Sequence, residues 1–177
     1  RRQRQELSPA SARVSVAIRR PDDDSILVLR DGTLPRFEIG LAAPWQVVAP
    51  VNEAISERLG LTVTTLRAAW LSDRRDERLY EAVWLAGALP SGSRWMALDD
   101  LSAASPVTSE AGGAAIAAGA LQPAHGHLQP WYLPGWLDGM AAWIDDRLAD
   151  AGLRRHGPIR QVRSWGRSAL LQADTDR

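Results

Sequence analysis

Glu53 and Glu57 stand four residues apart in Pro50-Val-Asn-Glu-Ala-Ile-Ser-Glu-Arg-Leu-Gly-Leu61, a spacing that sets two carboxylates side by side on one helix face. Neighbouring carboxylates can share Mg²⁺, a hard cation that takes oxygen ligands. Two are few for that purpose, and Arg58 adds a positive charge where an ion would sit. A pair of solvated surface glutamates is the commoner outcome of this spacing.

Other candidate groups carry less. His125-Gly-His127 has a spacing seen in metal sites, but without Cys or a third ligand it reads as a polar loop before Pro130. His156 reads as a solvated loop residue. The stretch from Glu110 to Gly119 is glycine-rich, yet it lacks the spacing of a dinucleotide loop and follows no predicted strand, so a loose small-residue helix or connector is expected. No Gly-x-Ser-x-Gly occurs, and no His has a recognisable partner for serine-based hydrolysis. Of eight Trp, four (Trp131, Trp136, Trp143 and Trp165) fall in the final third, where they could line a groove or glue a helix to a sheet. Trp136 and Trp143 are seven apart and share a helix face, which predicts packing.

The elements that must position these groups follow from periodicity. Residues 1–12 form a polar tail with little to dock it. Arg13 to Arg19 alternates, with Val14, Val16 and Ile18 on one face, and Ser25 to Arg30 is a second strand closed by the turn dipeptide Asp31-Gly32; the two are expected to pair as a hairpin. Leu34 to Gly40 is a shorter extended segment. Pro50 suits a first helical turn and Gly60 a stop, with Val51, Ile55 and Leu59 as the buried stripe. Residues 61–72 and 78–88 read as strands around Asp73-Arg-Arg-Asp-Glu77, followed by Trp95-Met-Ala-Leu-Asp-Asp-Leu101. The fold class is therefore α+β, a mixed β-sheet domain with α-helices over residues 13–120. Residues 121–157 form a linker with an amphipathic helix, its stripe being Leu137, Met140, Ala141, Ile144 and Leu148 and its stop Gly152; residues 158–177 read as a β-hairpin.

Composition sets the outer bounds. A chain of 177 residues, 45% apolar, can remove roughly 70% of its unfolded surface from water, enough for one domain and an appended element. Twenty-one basic and 21 acidic residues leave no net field for nucleic acid or an anionic membrane. No cysteine means no disulfide framework or thiolate metal site, as suits a reducing cytosol. No apolar run approaches the roughly 20 residues of a membrane helix, and Arg1-Arg-Gln-Arg-Gln-Glu6 lacks the apolar region of a signal peptide, so a cytoplasmic protein is expected. The first residue is not Met, which suggests a fragment, and every cation is Arg, which suggests a GC-rich genome.

The order strand hairpin, extended segment, a helix ending Glu57-Arg-Leu-Gly-Leu61, strand pair and Trp95-Met-Ala-Leu-Asp-Asp-Leu101 resembles the Nudix hydrolases over about two thirds of the chain. The family pattern is Gly, five residues, Glu, seven residues, then Arg-Glu-apolar-x-Glu-Glu-x-Gly-apolar. With Gly60, Leu61 and Ile55 as anchors, Glu53 falls at the family Arg, Ala54 at the first Glu, and Glu57-Arg58 at the Glu pair. Trp45 stands at the upstream Glu, and Gly40 falls one residue from the expected Gly. What the resemblance implies is a degenerate metal helix, with Glu57 and Glu53 as the remaining candidate Mg²⁺ ligands.

Pro158-Ile-Arg-Gln-Val-Arg-Ser-Trp-Gly-Arg-Ser-Ala-Leu-Leu-Gln-Ala-Asp-Thr175 resembles the opening hairpin of phosphotransferases of the aminoglycoside phosphotransferase and choline kinase type. Bacterial members with Leu34-Pro-Arg-Phe-Glu38-like and Gln129-Pro-Trp-Tyr-Leu-Pro-Gly-Trp136-like segments show the same order. By that resemblance Ser164, Gly166, Arg167 and Ser168 are the turn residues nearest nucleotide phosphates. The chain has no Lys to hold phosphates and lacks the later Asp and Asn of such kinases, so no phosphoryl transfer is expected from it alone. The expected role is a non-catalytic Nudix-like portion of a bacterial phosphotransferase that recruits or senses a nucleotide or substrate. The alternatives are a Mg²⁺-dependent hydrolase of a nucleoside diphosphate-linked compound and a protein interaction module with Trp anchors.

Overall fold

A mixed six-stranded sheet carries helices on both faces in the computed structural model, which describes residues 11–23, 25–40, 44–103, 110–122 and 129–176. The strands are β1 (Ser11–Arg19), β2 (Ser25–Val28), β3 (Arg36–Gly40), β4 (Thr62–Leu71), β5 (Glu77–Ala86) and β6 (Arg94–Ala97), with helices α1 (Ala49–Leu59), α2 (Leu98–Ala103) and α3 (Glu110–Ala117). Beyond them come a 3₁₀ turn at Pro130–Tyr132, helix α4 (Trp136–Asp150) and a separate two-stranded sheet of β7 (Arg155–Trp165) and β8 (Ser168–Thr175). The mixed α+β class expected from the sequence is the one observed. None of the described helices is long and apolar enough to cross a membrane.

β1 is central, and its alternation serves two cores. Val14, Val16 and Ile18 join Phe37, Val51, Ile55 and Tyr80 under α1. Ala17 faces the other way, with Ile26, Leu34, Leu79, Leu101 and Ile116 under α2 and α3. Burial on both faces is what an interior strand of a mixed sheet requires. Ser11 and Ala12, placed in the tail by sequence, belong to β1, where Ala12 is buried; residues 1–10 and His125 to His127 lie outside the described residues.

The expected hairpin of the first two strands is reduced to one pair, Arg19 with Ile26. The same side of β1 is already taken by β3, from Ser11 opposite Gly40 to Ser15 opposite Arg36, so β2 runs on past it and pairs with β6. The other side of β1 pairs in parallel with β5, from Arg13 opposite Glu77 to Arg19 opposite Val83. A parallel pair needs a long crossover, here α1 and β4.

The punctuation of α1 is as its sequence predicts. Pro50 lies in the first turn, and Gly60 ends the helix at φ 67° with its N–H donating to Ser56 O at 2.9 Å. Val48 offers no side-chain cap; its own N–H donates to Val162 O at 2.9 Å, so β7 fixes the chain entering the helix. Gly87, at φ +106° after β5, lies against the Gly60 carbonyl, where a Cβ would overlap the oxygen.

β4 is an edge of the main sheet, interrupted near Thr65 and Ala68 by register shifts. β7 covers that edge with side chains rather than a backbone ladder. The Gln161 amide oxygen accepts from Thr65 N at 2.8 Å and Thr64 Oγ1 at 3.1 Å, and its nitrogen donates to Thr65 O at 2.7 Å. Asn52 of α1 donates to the same oxygen at 3.2 Å and accepts from Thr65 Oγ1 at 2.6 Å. Gln161 and Thr65 are buried, so these bonds satisfy a strand edge that water cannot reach.

α4 packs against the appended elements rather than into either core of the main sheet. It rests on the 3₁₀ turn and β7, and none of its residues is buried. The stripe of Leu137, Met140, Ile144 and Leu148 is half-buried, while Trp143 is 57% exposed and makes no packing pair with Trp136. Periodicity grouped the stripe correctly; it says nothing of how much surface lies opposite.

Candidate ligand site

Glu53 and Glu57 both lie on the exposed face of α1, with no hydrogen bond or ion pair to either among the described residues. Nowhere among those residues do three His, Cys, Asp or Glu side chains gather in a way that could hold a metal ion. The residues of α1 therefore do not fit the Mg²⁺ that the Nudix pattern implies: the pair stands alone in solvent, and the next side chain is cationic.

That cation is placed. The Arg58 guanidinium carbon lies 5.4 Å from the ring centroid of Phe37, itself 5% exposed. The guanidinium at the end of α1 lies over the ring of Phe37 on β3, a favourable cation–π arrangement. It also lines a cavity of about 410 Å³ formed by β1, β3, β5 and the end of α1.

The walls of this cavity are built by strand pairing. Arg13 lies between Glu38 on β3 and Glu77 on β5, and Ser15 lies between Arg36 and Leu79. Arg13 forms an ion pair with Glu77. Arg78 is buried, and its Nε donates to Arg75 O at 3.1 Å. Trp70 and Phe37 add apolar surface. Arg13, Arg36, Arg58 and Arg78 line the cavity together with Glu38 and Glu77, so its lining residues are net cationic in a chain that has no net charge. An anionic molecule with a flat apolar part has the complementary chemistry. Beside the cavity Tyr80 donates its hydroxyl to Trp45 O at 2.7 Å, and burial raises its pKa above the usual 10.0.

On the α2 and α3 face of the sheet, the one that Arg13, Ser15 and Leu79 share, Arg19, Glu81 and Arg67 form a charged row across β1, β5 and β4. Glu81 accepts from Arg19 Nε and, at 2.6 Å, from Arg67 Nε. The guanidiniums also donate to the carbonyls after α3, Arg19 to Leu121 O and Arg67 to Ala120 O at 3.2 Å and Gln122 O at 3.4 Å. This row clamps the turn after α3, its two guanidiniums sharing one carboxylate and bonding backbone carbonyls.

The hairpin residues separate into two groups. Ser164 is 1% exposed; its hydroxyl donates to Leu66 O and its N–H to Gln46 O at 3.0 Å, so it faces the sheet domain rather than the turn. Gly166, Arg167 and Ser168 are exposed at the turn. There the Ser168 hydroxyl accepts the Trp165 indole N–H, and Trp131 straps the turn by donating to Trp165 O at 2.8 Å. His156 is exposed as expected but lies in β7 opposite Asp174 rather than in a loop, because the strand begins at Arg155, ahead of Pro158.

Sequence reasoning found α1 and Arg58 but missed Arg13, Arg36, Arg78 and Trp70. Their meeting depends on the parallel pairing of β1 with β5, across more than sixty residues, which leaves no local trace.

No protein-family model matches the chain, and no curated protein matches it. Among solved structures it is similar to an ADP-ribose pyrophosphatase of Streptococcus suis, with 20% identity and a TM-score of 0.46, covering 68% of this chain and 97% of that one. It is also similar to a Nudix-family hydrolase of Clostridium perfringens, at 16% identity and TM-score 0.40 over 63% of this chain and 99% of that one. A third similarity is to a MutT described from Aliivibrio salmonicida and Vibrio cholerae, at 14% identity and TM-score 0.41 over 61% of this chain and 97% of that one.

Proposed function

We propose that the chain is a Nudix-like, non-catalytic module that binds a nucleotide or a related phosphorylated small molecule in the arginine-lined cavity. The observation that carries this reading is the cavity itself: about 410 Å³, four guanidiniums against two carboxylates, with Trp70 and Phe37 in its walls. Binding needs complementary charge and a flat apolar surface, and both are present; hydrolysis of a diphosphate through a metal helix needs a carboxylate set that α1 lacks. The same proposal makes the chain part of a bacterial phosphotransferase, with β7 and β8 as its opening hairpin. The buried Gln161 and Ser164 contacts would then join that lobe firmly to the sheet domain.

A second reading, a Mg²⁺-dependent hydrolase of a nucleoside diphosphate-linked compound, is favoured by one observation: Glu53 and Glu57 have no protein partner among the described residues and so remain open to an ion. Calorimetric titration of the 177-residue chain with nucleoside diphosphate compounds, with and without Mg²⁺, separates the two. Binding without turnover supports the module. Release of phosphate or a nucleoside monophosphate that is abolished by Glu57→Gln supports the hydrolase and refutes the first reading.

A further inference from the structure

We propose that Arg58 takes the place of the divalent cation in this site, so that the cavity binds its anion without a metal. The inference rests on the ligand-binding reading above and deepens it: the anionic part of the ligand is held by a guanidinium supplied by the chain.

Three observations converge. First, the position is the one at which the Nudix pattern has the second glutamate of its pair, so a fixed positive charge stands where a ligand to a positive ion would be. Second, the guanidinium is held in place: its carbon lies 5.4 Å from the centre of a buried Phe37 ring. A cation held by a ring rather than by a carboxylate keeps its N–H donors unpaired by any acid, and a guanidinium edge matches two oxygens of a phosphate. Third, its charge is unspent. Arg13 is paired with Glu77 and Arg78 is held at the Arg75 carbonyl, whereas no carboxylate pairs with Arg58 among the described residues.

The alternative, that Arg58 only completes the helix, accounts for less. A cation in the last turn does favour the negative end of the helix dipole, and Arg58 is the basic residue of that turn. That role asks for charge near the terminus, not for a guanidinium laid over Phe37 at the edge of a cavity already rich in positive charge. Mg²⁺ at the same spot would meet Arg58 at close range, with Glu57 as the adjacent carboxylate, and Ala54 brings no oxygen from the previous turn.

The test titrates the full chain with ADP, AMP and inorganic pyrophosphate, once in EDTA and once in excess Mg²⁺. The expected result is that at least one probe binds with affinities agreeing within about twofold in the two buffers. Arg58→Gln then weakens binding about tenfold or more, the scale of a lost charge-assisted contact, while Arg58→Lys retains part of the affinity. Because Arg58 is exposed, neither variant should change the melting temperature appreciably, which separates loss of a contact from loss of the fold. Arg58→Glu is expected to abolish binding in EDTA and to recover some of it when Mg²⁺ is added beside Glu57. Binding by the natural chain that needs Mg²⁺, or Arg58→Gln binding as tightly as the natural chain, overturns the inference while leaving the ligand-binding role standing. Failure of every probe in both buffers refutes that role, and the inference falls with it.

Discussion

Replacing Gln161 by leucine tests whether the hairpin belongs to the sheet domain or merely adjoins it. The substitution keeps the side chain near its original volume and removes only the amide. Thr65 then loses an acceptor for its N–H and a donor to its carbonyl, bonds of 2.8 and 2.7 Å at a residue with no solvent exposure. A buried polar group left unpaired costs about 1–3 kcal/mol. The Thr64 hydroxyl can rotate to another acceptor, and Asn52 is half-buried within reach of water, so the two backbone groups dominate. The expected loss is about 2–4 kcal/mol, a large part of the 5–15 kcal/mol typical of a domain. In a protein of this size that lowers the melting temperature by roughly 5–15 °C. Circular dichroism melts and urea titrations measure the loss, and amide exchange should localise it to β4, β7 and the start of α1. Gln161→Glu sharpens the reasoning, because it retains the acceptor but replaces the donor to Thr65 O with a buried carboxylate; it should be poorly tolerated at neutral pH and better at acid pH, where the protonated group can donate again. If Gln161→Leu melts within about 1 °C of the natural chain, β7 is not docked through this residue and the hairpin is an independent unit.

Gly87→Ala should cost about 3 kcal/mol or more, since positive φ and overlap with the Gly60 carbonyl both oppose a side chain there, whereas Gly60→Ala meets open space and should cost about 1 kcal/mol; paired denaturant titrations compare them. Glu81→Ala leaves the buried Arg19 and half-buried Arg67 without their carboxylate and should cost about 3–5 kcal/mol, with amide exchange rising first at the Ala120 to Gln122 turn that those guanidiniums hold. The Asp145 carboxyl should titrate below its usual 3.8, because Arg155 donates two hydrogen bonds to it and adds its charge. A depressed folded-state value means that its contribution is present above the ordinary carboxylate range and lost as pH falls through the folded value; carboxyl chemical shifts of the natural chain against Asp145→Asn measure this, and an ordinary titration would show that the pair does not persist in solution.

The parts of this fold legible in the sequence are those whose cause is local. Pro50 and Gly60 bracket α1 because a fixed φ and a left-handed φ are properties of single residues, and β4 and β5 were readable because a short turn joins them. What depends on distant partners was not readable. The alternation of Val14, Val16 and Ile18 announced a strand but not that β5 would lie parallel beside it. Gln161 is one amide in a polar strand until β4 presents Thr65 to it. Trp136 and Trp143 share a helix face as their spacing requires, yet nothing in that spacing fixes what covers the face, and Trp143 is left largely exposed. Of the site, Glu53, Glu57 and Arg58 were legible as a degraded metal helix. The cavity was not, because its other arginines come from strands that meet only in the folded sheet.

The absence of lysine gives the two charged regions a common logic. All 21 cations are guanidiniums, which are planar, more weakly hydrated than ammonium groups and able to serve several acceptors in fixed directions. Around Glu81 that permits an arrangement lysine could not reproduce: Arg19 bonds a carboxylate and a carbonyl, and Arg67 bonds the same carboxylate and two more carbonyls. The surplus positive charge of two guanidiniums against one carboxylate is spread over backbone oxygens at the end of α3, which satisfies both the charge and the unpaired carbonyls of the turn. At the cavity the same group is used differently. Arg58 has an aromatic ring near it instead of a carboxylate, so its charge is not neutralised by an acid among the described residues. A guanidinium bonded to a carboxylate and to carbonyls holds a fold together, and one with no acid beside it keeps its charge for a ligand.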